Sequence, residues 1–263
     1  MIQFMKKMVA PTIVGTWMQS SEYHLKNRLK RLGAQIPAKR LRKSWVNSTL
    51  QTHKQVDEAL EVVKECGLIP HSDPPKNWDG ISMLDEILLR TDKHAHILEV
   101  GATLYSTLLV WLYQYGYRNL TGIDLIFNKP LHRGPIQYEP GDLTHSRFQD
   151  ESFDGIVSMS VIEHGVNINA YFKEMFRLLK PDGILITSTD YWKNLVDTRN
   201  QKAFGVPIKI FNEGDIRNML DCACSYGFKT CGEVNLECDE QVVHWKQFDL
   251  RYTFLCFALR KPS

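Results

Sequence analysis

The chain has 263 residues, a net charge of +2, and 43% hydrophobic against 24% charged residues, values that call for a packed globular core and suit one α/β domain of ordinary size plus an extension. No apolar run approaches the ~20 residues that span a bilayer, and residues 1–10 lack the apolar block of a secretory signal. The six cysteines form no C-x-x-C pair, so free thiols in a soluble, cytoplasmic protein are expected.

Residues 1–79 read as a basic helical arm and cap, and residues 80–263 as the main domain. From Lys26 to Lys43 there are eight basic residues and no acid: Lys26, Arg28, Lys30, Arg31, Lys39, Arg40, Arg42 and Lys43. The plain reading is a solvated arm that packs Leu29, Leu32 and Leu41. The less favoured one is a surface for phosphate or nucleic acid. Residues 52–66 carry Val56, Leu60 and Val63 at helical spacing, with Gly67 as a stop. Residues 71–80, with Pro74 and Pro75 together, read as a rigid turn-rich linker. A helix with Ile81, Leu84, Ile87 and Leu88 as its apolar stripe then leads into alternating elements. Helices are expected over 106–115, 169–179 and 215–226, with strands between them and a final pair at 229–234 and 252–259. Such alternation argues for a parallel sheet covered on both faces. Residues 193–211 lack periodicity and contain Gly205 and Pro207, so the insert 190–211 is expected to be a substrate lid.

Three stretches carry the chemistry. Ile97, Leu98, Glu99, Val100 and Gly101 form an apolar strand ending in a glycine turn. Leu120, Thr121, Gly122, Ile123 and Asp124 form a second strand ending in an acid. Phe153 to Ser160 forms a third, opening into Val161, Ile162, Glu163, His164 and Gly165. Strand, glycine turn, helix and strand with a terminal acid make a βαβ unit that binds a nucleoside, the acid accepting from the ribose hydroxyls. A dinucleotide would need G-x-G-x-x-G, and after Gly101 the run is Ala102, Thr103, Leu104, Tyr105 and Ser106. No phosphate-binding P-loop occurs either. An adenosine cofactor without phosphate fits better.

Taken in order, these stretches resemble the class I S-adenosylmethionine-dependent methyltransferases over roughly residues 80–260. Gly141, Asp142 and Leu143 resemble that family's adenine-contacting pair, and Leu179, Lys180, Pro181, Asp182 and Gly183 its turn before the fifth strand. Thr103 stands where the family has a second glycine. The resemblance implies a Rossmann-like, seven-stranded, mostly parallel sheet with helices on both faces, plus the N-terminal helical cap. It also implies that S-adenosyl-L-methionine is held by Glu99, Gly101, Ala102, Asp124, Leu125, Asp142, Leu143 and Ser160. Glu99 is expected to serve the methionine amino group and Asp124 the ribose.

An alcohol acceptor needs a base. His164, after the fourth strand and in a suitable pKa range, is the first candidate. Asp190 could orient a hydroxyl or hold His164 in the useful tautomer, Tyr191 and Trp192 would wall the pocket, and Glu163 would support it by hydrogen bonds. Asp73, Pro74 and Pro75 invite comparison with the base-gripping motif of DNA amino-methyltransferases, but Lys76 replaces the aromatic that motif requires. The residue types support no metal site. The expected reaction is methylation of an oxygen on a small-molecule acceptor, a sugar or natural-product intermediate, as in the bacterial saccharide and natural-product methyltransferases that this chain resembles. The alternatives are an RNA or peptide methyltransferase docking through the basic arm, and a non-catalytic binding module.

Overall fold

A computed structural model describes residues 22–37, 41, 45–203 and 205–263. The reading of residues 1–10, and Lys39, Arg40, Arg42 and Lys43 of the basic run, lie outside the described residues.

The apolar strands of the nucleoside-binding pattern form the centre of the sheet. β2 (His96–Val100) pairs in parallel with β3 (Asn119–Asp124) on one side and β6 (Phe153–Met159) on the other. β5 (Ile136–Pro140) extends the parallel set beyond β3, and β7 (Leu179–Tyr191) extends it beyond β6. The long β12 (Leu250–Arg260) closes on β7 antiparallel. Short strands then widen the sheet past the seven expected, to ten among the described residues. β4 (Leu131–Arg133) lies antiparallel on β5. Along β12 run β1 (Ser48–Thr49), β10 (Lys229–Thr230) and β11 (Val243–Trp245), which satisfy an edge otherwise open to pairing.

Successive side chains of a strand face opposite ways, and the two cores follow that period. Ile97, Val157, Ile184 and Ile186 pack against Trp78, Ile81 and Trp111 on one face. Leu98, Val100, Ile156 and Leu185 pack against Tyr171, Phe172 and Ile216 on the other. The first face is covered by α3 (Lys76–Arg90) and α4 (Leu108–Gln114), with α1 (Glu22–Arg31) and α2 (His53–Glu65) contributing Leu25, Val56 and Val63. The second is covered by α5 (Ile168–Leu178) and α6 (Glu213–Ser225). Polar side chains start these helices: Thr52 caps α2, Asn167 caps α5, and Asn212 forms a capping box with Asp215 on α6.

Two expectations are corrected. Residues 71–80 are not a linker throughout, because α3 begins at Lys76 with Pro75 already in helical geometry (φ −59°, ψ −28°). Proline suits the opening of a helix, where its missing N–H would have had no partner. The expected boundary at 79/80 therefore falls inside α3. In the arm, Leu29 and Leu41 are buried, but Leu32 is exposed.

Candidate active site

The loops at the carboxyl ends of β2, β3, β6 and β7 surround one cavity of about 910 Å³, the place where open α/β sheets bind ligands and a size suited to small molecules. Of the expected cofactor residues, Gly101, Asp124, Leu125, Asp142, Leu143 and Ser160 line the cavity. His164 and Asp190 line the same cavity. Ala102 does not. Its methyl group is fully buried beneath the turn, and a Cβ placed on Gly122 would lie 2.7 Å from it. Glu99 also stands behind the lining, 2% exposed, and its Oε2 has no hydrogen-bond partner.

The glycine turn is tight for a physical reason. Gly101 has φ +71°, a left-handed conformation, and a Cβ there would sit 2.4 Å from Val161 Cγ2. Val161 lines the cavity, so the missing side chain lets the turn after β2 meet the turn after β6. Asp124 Oδ1 accepts from the Ile126 N–H at 2.8 Å, which fixes the carboxylate at the end of β3. Burial raises the pKa of Asp124 and pushes that of Glu99 up to about 7. An adenosyl cofactor with a cationic amino group fits these features: the buried Glu99 oxygen lacks a donor, Asp124 is held at the strand end, and the Gly101 cradle would not admit a Cβ.

Tyr191 corrects the sequence reading. It is fully buried in the second core, where its hydroxyl donates to the Leu236 carbonyl at 2.8 Å. One position along β7, Asp190 faces the cavity instead, the alternation that a strand imposes. Trp192 packs against the cores and does not line the cavity. The chain leaves the sheet after Tyr191 and returns at Phe211. Phe211 N donates to Asp190 O, and Trp192 N donates to Phe211 O, both at 3.0 Å. Between them, β8 (Lys202–Ala203) and β9 (Val206–Pro207) form a small hairpin that brings Val206 to the cavity wall.

Sequence reading missed the other half of the cavity. Lys76, in the first turn of α3, donates to Asp79 Oδ2 at 3.1 Å and to Ser160 Oγ, and its Nζ lies 3.5 Å from the centre of the Phe254 ring. Its side chain is 15% exposed and that of Asp79 not at all. Glu163 Oε2 accepts from the Thr189 hydroxyl at 3.1 Å. Burial pushes Asp79 up to about 6 and Glu163 to about 7, each partly offset by Lys76. Asp190 is raised well above the carboxylate range by burial and then by the charge of Glu163. Burial lowers the Lys76 ammonium, but Asp79, Asp190 and Glu163 outweigh this and raise it overall. His164 is lowered by burial, against an opposing pull from Asp190, so its imidazole is neutral at pH 7. Trp245, Tyr252 and Phe254 add aromatic rings to the lining of the cavity. The signal within reach was Lys76 after Pro74 and Pro75, a charge directly after a turn that leads into an apolar helix.

Among the described residues no helix is long and apolar enough to cross a membrane, and no group of three or more His, Cys, Asp and Glu residues is placed to hold a metal.

Residues 98–187 match the family model described as a methyltransferase domain. This central third of the chain, which spans β2 to β7, is thus similar to a methyltransferase domain. Sterol 24-C-methyltransferase erg6 of Aspergillus fumigatus is 33% identical over 49 residues, 19% of this chain and 13% of that protein, so the match spans a small part of this relative's length. The solved structure of the (4+2)-cyclase SpnF matches over 80% of this chain and 94% of its own, with 15% identity and a TM-score of 0.50. Phosphoethanolamine N-methyltransferase 2 of Haemonchus contortus, in complex with S-adenosyl-L-methionine, matches over 81% of this chain and 58% of its own, with 14% identity and a TM-score of 0.51. These likenesses show the α/β Rossmann-like fold. A cyclase and an N-methyltransferase share it, so the fold by itself does not name the reaction.

Proposed function

We propose that the chain methylates an oxygen of a small molecule, a sugar or natural-product intermediate, with S-adenosyl-L-methionine as donor. The observation that carries this reading is the neutral His164 near Asp190 in the same cavity that Gly101, Asp124 and Ser160 line. In this reading Glu99, Gly101 and Asp124 hold the cofactor, with Asp142 and Leu143 at the adenine end. When bound, it supplies a methyl group on a cationic sulfur, electrophilic without further activation.

The protein then has two tasks, to align the acceptor and to take its proton. His164 accepts the hydroxyl proton, and Asp190 stabilises the imidazolium that forms. The hairpin carrying Val206 and the aromatic wall of Tyr252 and Phe254 keep water from competing for the site. Residues 190–211 act as the lid.

Incubation with S-adenosylmethionine and a panel of hydroxylated acceptors tests the reading, by S-adenosylhomocysteine release and a methyl gain located on oxygen. Methylation of RNA or a peptide instead would move the acceptor to the second class named from the sequence. Cofactor binding with no turnover on any acceptor would leave a binding module.

A further inference from the structure

Charge in the acceptor half of the cavity does not balance. Three carboxyl groups, Asp79, Glu163 and Asp190, are each less than 5% exposed. Lys76 is the cation they share, and it is committed to Asp79 through a 3.1 Å ion pair. His164 is neutral at pH 7 and adds no charge. Glu163 and Asp190 line the cavity and share with Asp79 the one Lys76 ammonium, so three carboxyl groups face one cation there. Buried charge is costly unless paired, and burial accordingly drives both groups toward protonation.

A second, independent feature points the same way. Trp245, Tyr252 and Phe254 line the same side of the cavity, and aromatic faces attract cations. The chain already uses one of them in this manner, since the Lys76 ammonium lies 3.5 Å from the Phe254 ring centre. Trp245 and Tyr252 line the same chamber, and the Tyr252 hydroxyl hydrogen-bonds Asp190, which sets an aromatic ring beside that carboxyl group.

We infer that the acceptor carries an ammonium group, bound between the carboxylates of Glu163 and Asp190 and the aromatic faces of Trp245 and Tyr252. This rests on the reading of the cavity as a methyl-transfer site and names its substrate class: a hydroxyl compound that is also an amine. His164 remains the group that takes the hydroxyl proton, while the two carboxylates hold the charged end. An anionic acceptor is disfavoured, because it would lie against two carboxyl groups that already share their cation with Asp79.

The test uses three phenols of matched size: tyramine, 4-ethylphenol and 3-(4-hydroxyphenyl)propionate. Each is titrated calorimetrically into the protein saturated with S-adenosylhomocysteine, which lacks the sulfonium charge, so any preference belongs to the protein. Tyramine is expected to bind at least ~10-fold tighter than 4-ethylphenol, and the propionate weakest, as charge-assisted contacts require. Glu163→Gln and Asp190→Asn, tested separately, each reduce the tyramine preference while S-adenosylhomocysteine still binds. Equal affinity for tyramine and 4-ethylphenol overturns the inference. So does binding of none of the three to the protein saturated with S-adenosylhomocysteine, or a preference unchanged in both variants. If S-adenosylhomocysteine itself does not bind the wild-type protein, the methyl-transfer reading fails, and the inference falls with it.

Discussion

Replacing Lys76 by Met keeps much of the side-chain volume of a buried residue and removes its charge. In the wild-type protein the ammonium pairs with Asp79 at 3.1 Å, where the two side chains are 15% and 0% exposed. Removing one partner of a buried pair leaves an uncompensated charge and costs about 3–5 kcal/mol. For a chain of this size each kcal/mol moves the melting temperature by about 2–4 °C, so Lys76→Met should melt on the order of 10 °C lower at pH 8. The loss should depend on pH, with a definite sign. The folded-state pKa of Asp79 is raised from 3.8 to about 6 by burial. A carboxyl group raised on folding contributes stability that is present below its unfolded value and lost as pH rises through its folded value. Without Lys76 the folded pKa rises further. At pH 5 Asp79 and Glu163 then keep their protons in the variant, and the deficit should shrink to less than half. Thermal melts of both proteins followed by circular dichroism at pH 5 and pH 8 measure this directly. A melting temperature within ~2 °C of wild type at pH 8, well below the shift a buried pair demands, would refute Lys76 as the counter-ion of this cluster. A deficit larger at pH 5 than at pH 8 would refute it as well.

Asp124→Ala should weaken S-adenosylmethionine binding more than ~10-fold, the worth of charge-assisted bonds to a diol; calorimetric titration reads it, and unchanged affinity would remove Asp124 from the cofactor site. Gly101→Ala puts a Cβ 2.4 Å from Val161 Cγ2 at φ +71°, so it should cost about 1–3 kcal/mol by overpacking and reduce cofactor affinity, as chemical denaturation and titration would show. For His164→Ala, turnover should fall by about 10²–10⁴ with cofactor affinity retained, whereas parallel loss of both would make it structural. Because burial lowers the His164 pKa, the acid limb of the wild-type rate profile should lie below pH 6.5, with activity rising as the imidazole loses its proton. Tyr191→Phe removes one buried hydrogen bond, to Leu236 O; stability should drop by about 1 kcal/mol while turnover stays at the wild-type level, and a turnover defect would return Tyr191 to the site.

The half of the cavity proposed for the cofactor was legible because its determinants are local. A glycine directly after an apolar strand must turn, and an acid directly after the next strand must face the same end of a parallel sheet. Gly101, Asp124, Asp142 and Ser160 therefore meet with little help from elsewhere. Where sequence reading failed, one-residue distinctions decided the outcome. Asp190 and Tyr191 are neighbours in a strand and so point to opposite faces, and only the register of β7 says which faces the ligand. Ala102 and Glu99 were found at the correct turn, but packing placed them behind its lining.

The sequence by itself thus determined the parallel α/β sheet and the turns after β2 and β3, because hydrophobic period and turn chemistry act over a few residues. Tertiary structure alone decided the acceptor half. Lys76 reaches Ser160, 84 residues away, and Phe254 arrives on the antiparallel strand β12 that closes the sheet beside β7. Burial then sets the charge state of Asp79, Glu163 and Asp190. No local pattern encodes that state, because desolvation depends on everything packed around a group and not on its neighbours in the chain.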